Sequence, residues 1–308
     1  MISLLLAEQI GELFLMILLG WGLVRSGLLR SEDSRSLSVV TLYLVSPCVM
    51  LNAFQIERTP ELVKGLLLSL LTAVVIHVVL FLLVTLLGKV WRFRAVEQAS
   101  VMYSNAGNLI IPIVSAILGK EWVVFTSVFL AIQVPLLWTH CRILLSGERQ
   151  VSLRKILLNP NILAVLAGVV LFAAGIRLPE LLTGAMEGMG GMIGPLSMVV
   201  AGMLIGGMDL KKAFSFRGIW KVTALRLVVV PLILLGLLKF SGLSALAENG
   251  ETILLVSLLA AITPSAATVT QMAQLYDREA DYASAIYVVT TLLCIVTMPI
   301  LVGLYQMG

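Results

Sequence analysis

The sequence is short of charge. Aspartate, glutamate, lysine and arginine make up 12% of its 308 residues, whereas about 25% is usual in a soluble globular domain. All 17 acidic residues fall in predicted loops or near the ends of apolar runs, and Glu8, Glu12 and Glu97 come closest to a buried position. The low charge excludes an ordinary soluble domain. The absence of carboxylates from the middle of apolar runs argues against a cation–proton antiporter, which needs them to bind protons.

Several chemical motifs are also missing. The chain has no His-Glu-x-x-His helix, no Gly-x-Ser-x-Gly turn and no Gly-x-x-x-x-Gly-Lys-Ser/Thr loop, which argues against zinc proteolysis, serine hydrolysis and ATP coupling. Cys48, Cys141 and Cys294 lie in apolar segments, not in a disulfide framework. We therefore expect no enzyme activity, cofactor or metal. The basic clusters contain no interleaved aromatics, so we expect no nucleic-acid partner.

What the chain has in abundance is long apolar runs. Hydrophobic residues make up 59% of it, and ten runs approach the roughly 20 residues that a helix needs to cross a bilayer. Because lipid offers no hydrogen bonds, such runs must be helical, and their continuity excludes barrel strands. The predicted spans, first to tenth, are 4–24, 37–56, 65–88, 98–118, 122–144, 158–176, 188–207, 219–240, 252–275 and 282–305.

Basic residues are distributed unevenly between the loops on the two sides. Fifteen lysines and arginines follow odd-numbered spans, and five follow even-numbered spans. Because short cytoplasmic loops are enriched in Lys and Arg, the loops after odd-numbered spans are assigned to the cytoplasm. The pattern predicts a multi-pass protein of the cytoplasmic (plasma) membrane, surrounded by lipid, with both termini extracytoplasmic.

Prolines lie inside corresponding spans in the two halves of the chain. They are Pro47, Pro112 and Pro135 in the second, fourth and fifth spans, and Pro195, Pro264 and Pro299 in the seventh, ninth and tenth. Five spans per half is an odd number, so a second copy would enter the membrane in the opposite sense. This predicts two inverted repeats, residues 1–150 and 151–308, as in many secondary transporters. The alternative is that proline is simply commoner in membrane helices.

The fourth and ninth spans combine a proline with small, amide and hydroxyl side chains near their middles. Proline removes a backbone donor, and glycine lets the backbone bend or approach a neighbour closely. An interrupted helix leaves free N–H groups at the start of its second half, which favour an anion. The predicted binding residues are Asn105, Gly107, Asn108, Pro112, Gln133, Thr263, Pro264, Ser265 and Thr268. The alternative is two proline kinks patched by neighbouring hydroxyls.

Four polar side chains within the spans each have a structural interpretation and, for three of them, a functional one as well. Arg226 either pairs with a carboxylate substrate or extends to the cytoplasmic headgroups. His77 either relays protons or is a packed, hydrogen-bonded core residue. Gln133 lines the same cavity or makes an interhelical hydrogen bond. His140, near the cytoplasmic end of the fifth span, is predicted to be interfacial.

Around these residues the sequence resembles the auxin efflux carrier family, which includes bacterial malate and malonate permeases and plant PIN-type auxin carriers. The family pattern Asn-x-Gly-x-x-Gly-x-Pro is matched at Asn105, Gly107 and Pro112, with Ile110 in place of the second glycine. Plant members carry a proline where this chain has Ser104. The other matching residues are Pro195, Gly202, Arg226, Pro231, Pro264, Ala273, Tyr276, Thr290, Thr291 and Pro299.

The resemblance implies an all-α fold, similar to NhaA-type antiporters and bile-acid symporters, in which broken helices 4 and 9 cross. It implies a transport domain of helices 3–5 and 8–10, and a scaffold of helices 1, 2, 6 and 7 that forms a homodimer. The implied function is elevator-type secondary transport of a small organic anion such as malate, malonate or an indole acid, with protons or sodium as candidate coupling ions. A passive anion channel and an intramembrane enzyme are the alternatives.

Overall fold

The computed structural model describes residues 2–147, 154 and 157–307. Within these residues the chain is helical throughout, and its one extended pairing is an isolated antiparallel bridge between Ser104 and Ser265. The boundary between the two predicted repeats, at residues 150 and 151, lies outside the described residues. So do Arg149 and Lys155, which contribute to the predicted orientation.

The helices follow the apolar runs of the sequence and are joined by short connections. We label them α1 to α10 and divide α4 and α9 into two halves each. Their bounds are α1 Ile2–Arg25, α2 Ser31–Ala53, α3 Pro60–Trp91, α4a Ala95–Met102, α4b Ala106–Ile117, α5 Lys120–Ser146, α6 Pro160–Ala174, α7 Glu180–Gly206, α8 Ile219–Phe240, α9a Gly250–Ile262, α9b Ala267–Leu275 and α10 Ala280–Gln306.

Two groups of these helices stand out by length and apolar composition. Among the described residues, α2, α3, α5, α7, α8 and α10 are long and apolar enough to cross a membrane, and α4b, α6 and α9a are shorter apolar helices. An all-helical, multi-pass architecture is therefore confirmed. The arrangement of ten spans as two inverted repeats stays a prediction.

Helices α4 and α9 are interrupted near their middles. In α9 the non-helical residues 263–266 contain Pro264, where the sequence placed a helix breaker. In α4 the interruption lies at residues 103–105, whereas Pro112 lies inside the continuous helix α4b. The expectation that Pro112 breaks this helix was therefore wrong. A proline inside a helix removes a single ladder hydrogen bond, and α4b continues through it.

Three helices contain a π-helical turn close to a proline. These turns are Thr41–Val45 before Pro47 in α2, Leu137–Cys141 after Pro135 in α5, and Leu225–Val229 before Pro231 in α8. A π-turn disturbs the regular ladder and leaves carbonyl groups that other helices can engage. In α2 the carbonyl of Leu42 accepts a hydrogen bond of 3.0 Å from Asn161 Nδ2 of α6. In α5 the carbonyl of Leu136, directly before the π-turn, accepts a hydrogen bond of 3.0 Å from the Tyr103 hydroxyl.

Helices α1 and α7 pack backbone to backbone. A Cβ added at Gly20 would lie 2.9 Å from the Cα of Val199 and closer still to its carbonyl oxygen. A Cβ added at Gly202 would lie 2.7 Å from the backbone nitrogen of Trp21. Both positions require glycine because of this close approach. Small residues at such interfaces allow van der Waals contact between helices that lipid chains cannot replace.

This packing predicts opposite outcomes for two alanine substitutions in the same helix. Gly20→Ala should destabilise the protein by about 1–3 kcal/mol, because the added methyl group overlaps the α7 backbone. Gly22→Ala should leave stability unchanged or slightly raised, since a Cβ there meets no atom within 4 Å. The measurement is the thermal unfolding midpoint of each purified variant in detergent. Equal midpoints for the two variants would contradict the packing described.

Candidate functional site

The interruptions of α4 and α9 lie against each other and pair through their backbones. The N–H of Asn105 donates to the carbonyl of Pro264, and the N–H of Ala266 donates to the carbonyl of Tyr103, each over 3.0 Å. This two-bond antiparallel bridge is the crossing. It satisfies four backbone groups that neither helix can satisfy alone, which is the condition for non-helical backbone to persist at membrane depth.

Side chains from α5 and α10 hold the two central residues of the crossing. Gln133 accepts from the Ser104 N–H and hydroxyl through its oxygen, and donates to the Ser104 carbonyl over 2.9 Å through its nitrogen. On the other strand, the N–H of Ser265 donates to the hydroxyl of Thr290 over 3.2 Å. Gln133 therefore makes the interhelical bonds that were one of its two interpretations. Its amide is engaged by the backbone and is not directed at a ligand.

Arg226 is fully buried behind the crossing and donates to three backbone carbonyls. Its Nε bonds to Thr263 over 2.9 Å, one terminal nitrogen bonds to Val101 over 2.9 Å, and the other bonds to Ala261 and Thr263 over 2.7 Å each. These carbonyls lie at or next to the carboxyl ends of α4a and α9a. The expectation that Arg226 reaches the headgroups was wrong, because its guanidinium is used within the protein. It is equally unavailable to pair with a carboxylate substrate.

The amino ends of α4b and α9b are left without such partners. No side chain caps either helix. Within the described residues, five N–H groups at these two ends make no hydrogen bond, as expected for the first turn of an uncapped helix. They belong to Ala106, Gly107, Asn108, Ala267 and Thr268. The side-chain amide of Asn105, which begins α4b and is 5% exposed, also makes no hydrogen bond within the described part of the chain.

The carboxyl ends and the amino ends of these half-helices thus differ in their hydrogen-bond partners. The carboxyl ends of α4a and α9a carry partial negative charge, and one guanidinium cation compensates both. The amino ends of α4b and α9b carry partial positive charge, and in the described part of the chain no carboxylate or side-chain cap compensates them. The crossing therefore has a net positive character. An anion is the ligand that such an arrangement favours.

The remaining predicted binding residues divide by position. Asn108 and Thr268 are half-buried in the first turns of α4b and α9b, beside the free N–H groups, and their side chains make no hydrogen bond within the described residues. The hydroxyl of Thr263 donates back to the Ala260 carbonyl over 3.2 Å. The prediction that the backbone bends at Gly107, or approaches a neighbour closely there, was wrong. Gly107 is helical, and a Cβ there would make an ordinary contact of 3.8 Å with Leu130.

His77 lies in the core of the helix bundle and not at the crossing. Its Nδ1 is 2.7 Å from the carbonyl of Ala73, and its ring packs 4.8 Å from that of Phe129. These contacts fit the interpretation of His77 as a packed residue. Its Nε2 atom is buried without a hydrogen-bond partner in the described part of the chain.

A buried carboxylate lies in the first turn of α4a, where the sequence had indicated only a near-boundary position. Glu97 is 3% exposed, lies 3.3 Å from Lys221 Nζ and 3.5 Å from Arg94, and accepts from the Tyr282 hydroxyl over 3.1 Å. Because Lys221 and Arg94 already neutralise it, this carboxylate is not a free cation ligand. It does not alter the positive character of the crossing.

Two of the cavities in the described residues reach the interrupted helices, one along α4b and one at the end of α9b. The larger, of about 770 Å³, is lined by Asn52 of α2, Gly194 of α7, Lys120 at the start of α5, and Pro112 and Ser115 of α4b. The smaller, of about 340 Å³, lies among residues that the sequence assigns to the cytoplasmic side. Its walls come from the end of α7, the end of α9b and the start of α10.

The larger cavity is lined by α4b from Ile111 onward, about one turn beyond Asn108. Asn108 lies one turn before Pro112, and residues four apart share a helix face. The paired residues Ser104 and Ser265 line neither cavity.

Sequence reasoning missed two residues that build this site. Tyr103, whose carbonyl forms half of the bridge, is an aromatic residue with a hydroxyl directly before the interruption. Thr290 entered the analysis only through the family resemblance. A hydroxyl opposite an expected interruption in a neighbouring helix is the signal that would have identified it.

Two comparisons with known proteins agree with this architecture. A family model described as "Membrane transport protein" matches residues 5–151 and 148–302. An "Uncharacterized transporter" from Methanothermobacter thermautotrophicus is 25% identical over 308 residues, covering 95% of this chain and 96% of the relative. Both matches extend over both halves of the chain.

The contacts of Arg226 predict how its substitutions affect stability. Arg226→Met leaves three buried carbonyls without donors, so it should destabilise the protein by at least about 3 kcal/mol, at about 1–3 kcal/mol per unsatisfied group. Arg226→Lys should be intermediate, because an ammonium group keeps the charge but lacks the fixed fork of donors. The measurement is the thermal unfolding midpoint in detergent.

Arg58→Met is the matched control. Arg58 is exposed and donates to a single carbonyl, that of Ala173, over 2.9 Å. Its loss should change the midpoint little. If Arg226→Met were as stable as Arg58→Met, Arg226 would not be holding the crossing.

Proposed function

Since the chain belongs to the membrane transport protein family, the auxin efflux carrier-like family that its residues resemble, we propose that this multi-pass membrane transporter carries a small organic anion across the cytoplasmic membrane. The substrate class is a carboxylate, such as malate, malonate or an indole acid. Transport is secondary, and the coupling ion is a proton or sodium if one is used.

The observation that carries this proposal is the unequal compensation of the helix ends at the crossing. Arg226 occupies the negative carboxyl ends, while the N–H groups of Ala106–Asn108 and Ala267–Thr268 lack partners within the described residues. A carboxylate would accept hydrogen bonds from these groups, and the amide of Asn105 would add a further donor. A cation would meet only positive helix ends there.

The proposed mechanism is alternating access of the elevator type. A cavity beside α4b and another at the end of α9b support it, because a fixed site must open to each side in turn. In this proposal two inverted five-helix repeats fold into a transport domain of α3–α5 and α8–α10 and a scaffold of α1, α2, α6 and α7. The scaffold forms the homodimer interface, and both termini are extracytoplasmic.

A passive anion channel is the second candidate. The positive helix ends and the cavities would serve an anion channel as well as a carrier. The two differ in their kinetics, because a carrier has a limited number of sites that must reorient. A channel shows flux that rises with concentration without saturating.

The proposal predicts saturable, competitive carboxylate flux in proteoliposomes. Labelled carboxylates should be taken up with a measurable KM, and one unlabelled carboxylate in excess should abolish the uptake of another. The matching uncharged amides should not compete, because they lack the negative charge that the helix ends favour. Imposed pH, sodium and voltage gradients would identify the coupling ion. Flux that never saturates would support a channel, and no carboxylate flux under any gradient would refute the proposal.

Two substitutions at the crossing should reduce transport without preventing membrane insertion. Asn105→Ala removes an amide that makes no hydrogen bond in the described chain, so its effect on transport should exceed its effect on stability. Pro264→Ala restores a backbone N–H within the interruption and should also reduce transport. Asn249→Ala is the matched control, since this exposed residue before α9a makes no capping bond. Normal transport by both crossing variants would show that the site lies elsewhere.

A further inference from the structure

Tyr103 connects the crossing to the cytoplasmic half of α5. Its carbonyl accepts from Ala266 at the crossing, and its hydroxyl oxygen lies 3.0 Å from the Leu136 carbonyl oxygen and 2.9 Å from His140 Nδ1. The Leu136 carbonyl immediately precedes the π-turn of α5. Tyr103 is fully buried, whereas His140 is half-buried. A histidine of intermediate exposure is therefore one side chain away from the proposed anion site.

The hydrogen bonds of Tyr103 determine which nitrogen of the neutral His140 ring carries the proton. The Tyr103 hydroxyl has one proton, and the Leu136 carbonyl can only accept it. For both hydrogen bonds to exist, Nδ1 of His140 must carry a proton and donate to the hydroxyl oxygen. The Nε2 atom then has a free lone pair, and it makes no hydrogen bond within the described residues. A second proton can therefore bind at Nε2 while both hydrogen bonds of Tyr103 remain.

Within the described residues, the contacts of His140 include no acidic side chain. The ring of Phe81 on α3 packs at 5.3 Å, and α9b, which also contacts the π-turn, has no titratable side chain within its bounds. On α5 itself, Cys141 is buried, and Arg142 donates to the hydroxyl of Tyr276 over 3.1 Å.

The titratable groups on the neighbouring helices are engaged elsewhere. Glu97 of α4a is paired with Lys221 and Arg94, and His77 of α3 packs on Phe129. None of the contacts of His140 is with a carboxylate. In the part of the chain that the structure describes, the field of a protonated His140 therefore acts on the crossing without a carboxylate in contact to neutralise it.

We propose that protonation of His140 sets the affinity of the crossing for its anion. This rests on the proposed function, to which it adds a pH-sensitive residue outside the binding residues themselves. A cation at His140 adds to the positive character of the free helix ends. Histidine is the side chain whose charge ordinarily changes between pH 5 and 8. His140 acts through Tyr103 and through its field, and is a positioning residue that does not touch the anion.

The experiment measures KM and the maximal rate for a labelled carboxylate in proteoliposomes between pH 5.5 and pH 8. For a unit charge about 10 Å from the anion and an effective dielectric near 20, the expected change in affinity is on the order of tenfold. The KM of the unaltered protein should fall on acidification by about this factor, with a smaller change in the maximal rate. His140→Asn keeps an amide donor near the position of Nδ1 but cannot titrate. Its KM should stay at the high value at every pH.

Three controls separate the alternatives. The ratio of KM between the unaltered protein and His140→Asn at each pH cancels the ionisation of the carboxylate itself. His140→Gln serves as a second non-titrating variant, and the thermal midpoint of each variant reports whether the fold is kept. His77→Gln, which removes the other histidine of the chain, should retain the pH dependence of KM.

Each outcome bears on a different claim. A KM ratio that does not vary with pH overturns the role of His140 while leaving anion transport intact, as does a pH dependence lost only in His77→Gln. Saturable carboxylate transport with a pH-dependent ratio supports it. Absence of carboxylate transport at every pH refutes the proposed function, and this inference with it.

Discussion

The guanidinium group of Arg226 stabilises the crossing of the two interrupted helices. Two helices that are interrupted within the protein leave carbonyl groups at their carboxyl ends, and each buried carbonyl without a donor is costly. Arg226 supplies donors to Val101, Ala261 and Thr263 at once. A buried charge is itself expensive, and here the two negative helix ends that surround it reduce that cost. The crossing and Arg226 therefore depend on each other.

Because Arg226 bonds to the carbonyls at the carboxyl ends, the groups that remain for a ligand are backbone donors. The bridge between residues 103–105 and 264–266 uses the backbone at the crossing point, and Gln133 and Thr290 use most of the rest. Within the described residues, the first N–H groups of α4b and α9b and the amide of Asn105 are left without partners. The proposed selectivity for anions thus needs no cationic side chain in contact with the substrate. In this proposal the site favours an anion although the fully buried Arg226 is already engaged.

The sequence was most informative where a local property decides the structure. Apolar runs identified the helices, and Pro264 marked the interruption of α9, because lipid solubility and a missing N–H are properties of the residues themselves. The interruption of α4 was misplaced at Pro112 because its position is set by distant partners, the strand at Pro264 and the side chain of Gln133. Arg226 was misread for the same reason. Its hydrogen-bond acceptors are backbone carbonyls on two other helices, which no side-chain pattern reveals.

The most direct test of the account is to locate a bound anion. A crystal grown with a brominated carboxylate would show the bromine by its anomalous scattering and the carboxylate by its density. The account predicts a carboxylate within hydrogen-bond distance of the N–H groups at the starts of α4b and α9b, with the contacts of Arg226 unchanged. A carboxylate bound to the Arg226 guanidinium, or bound only away from both helix starts, would contradict it.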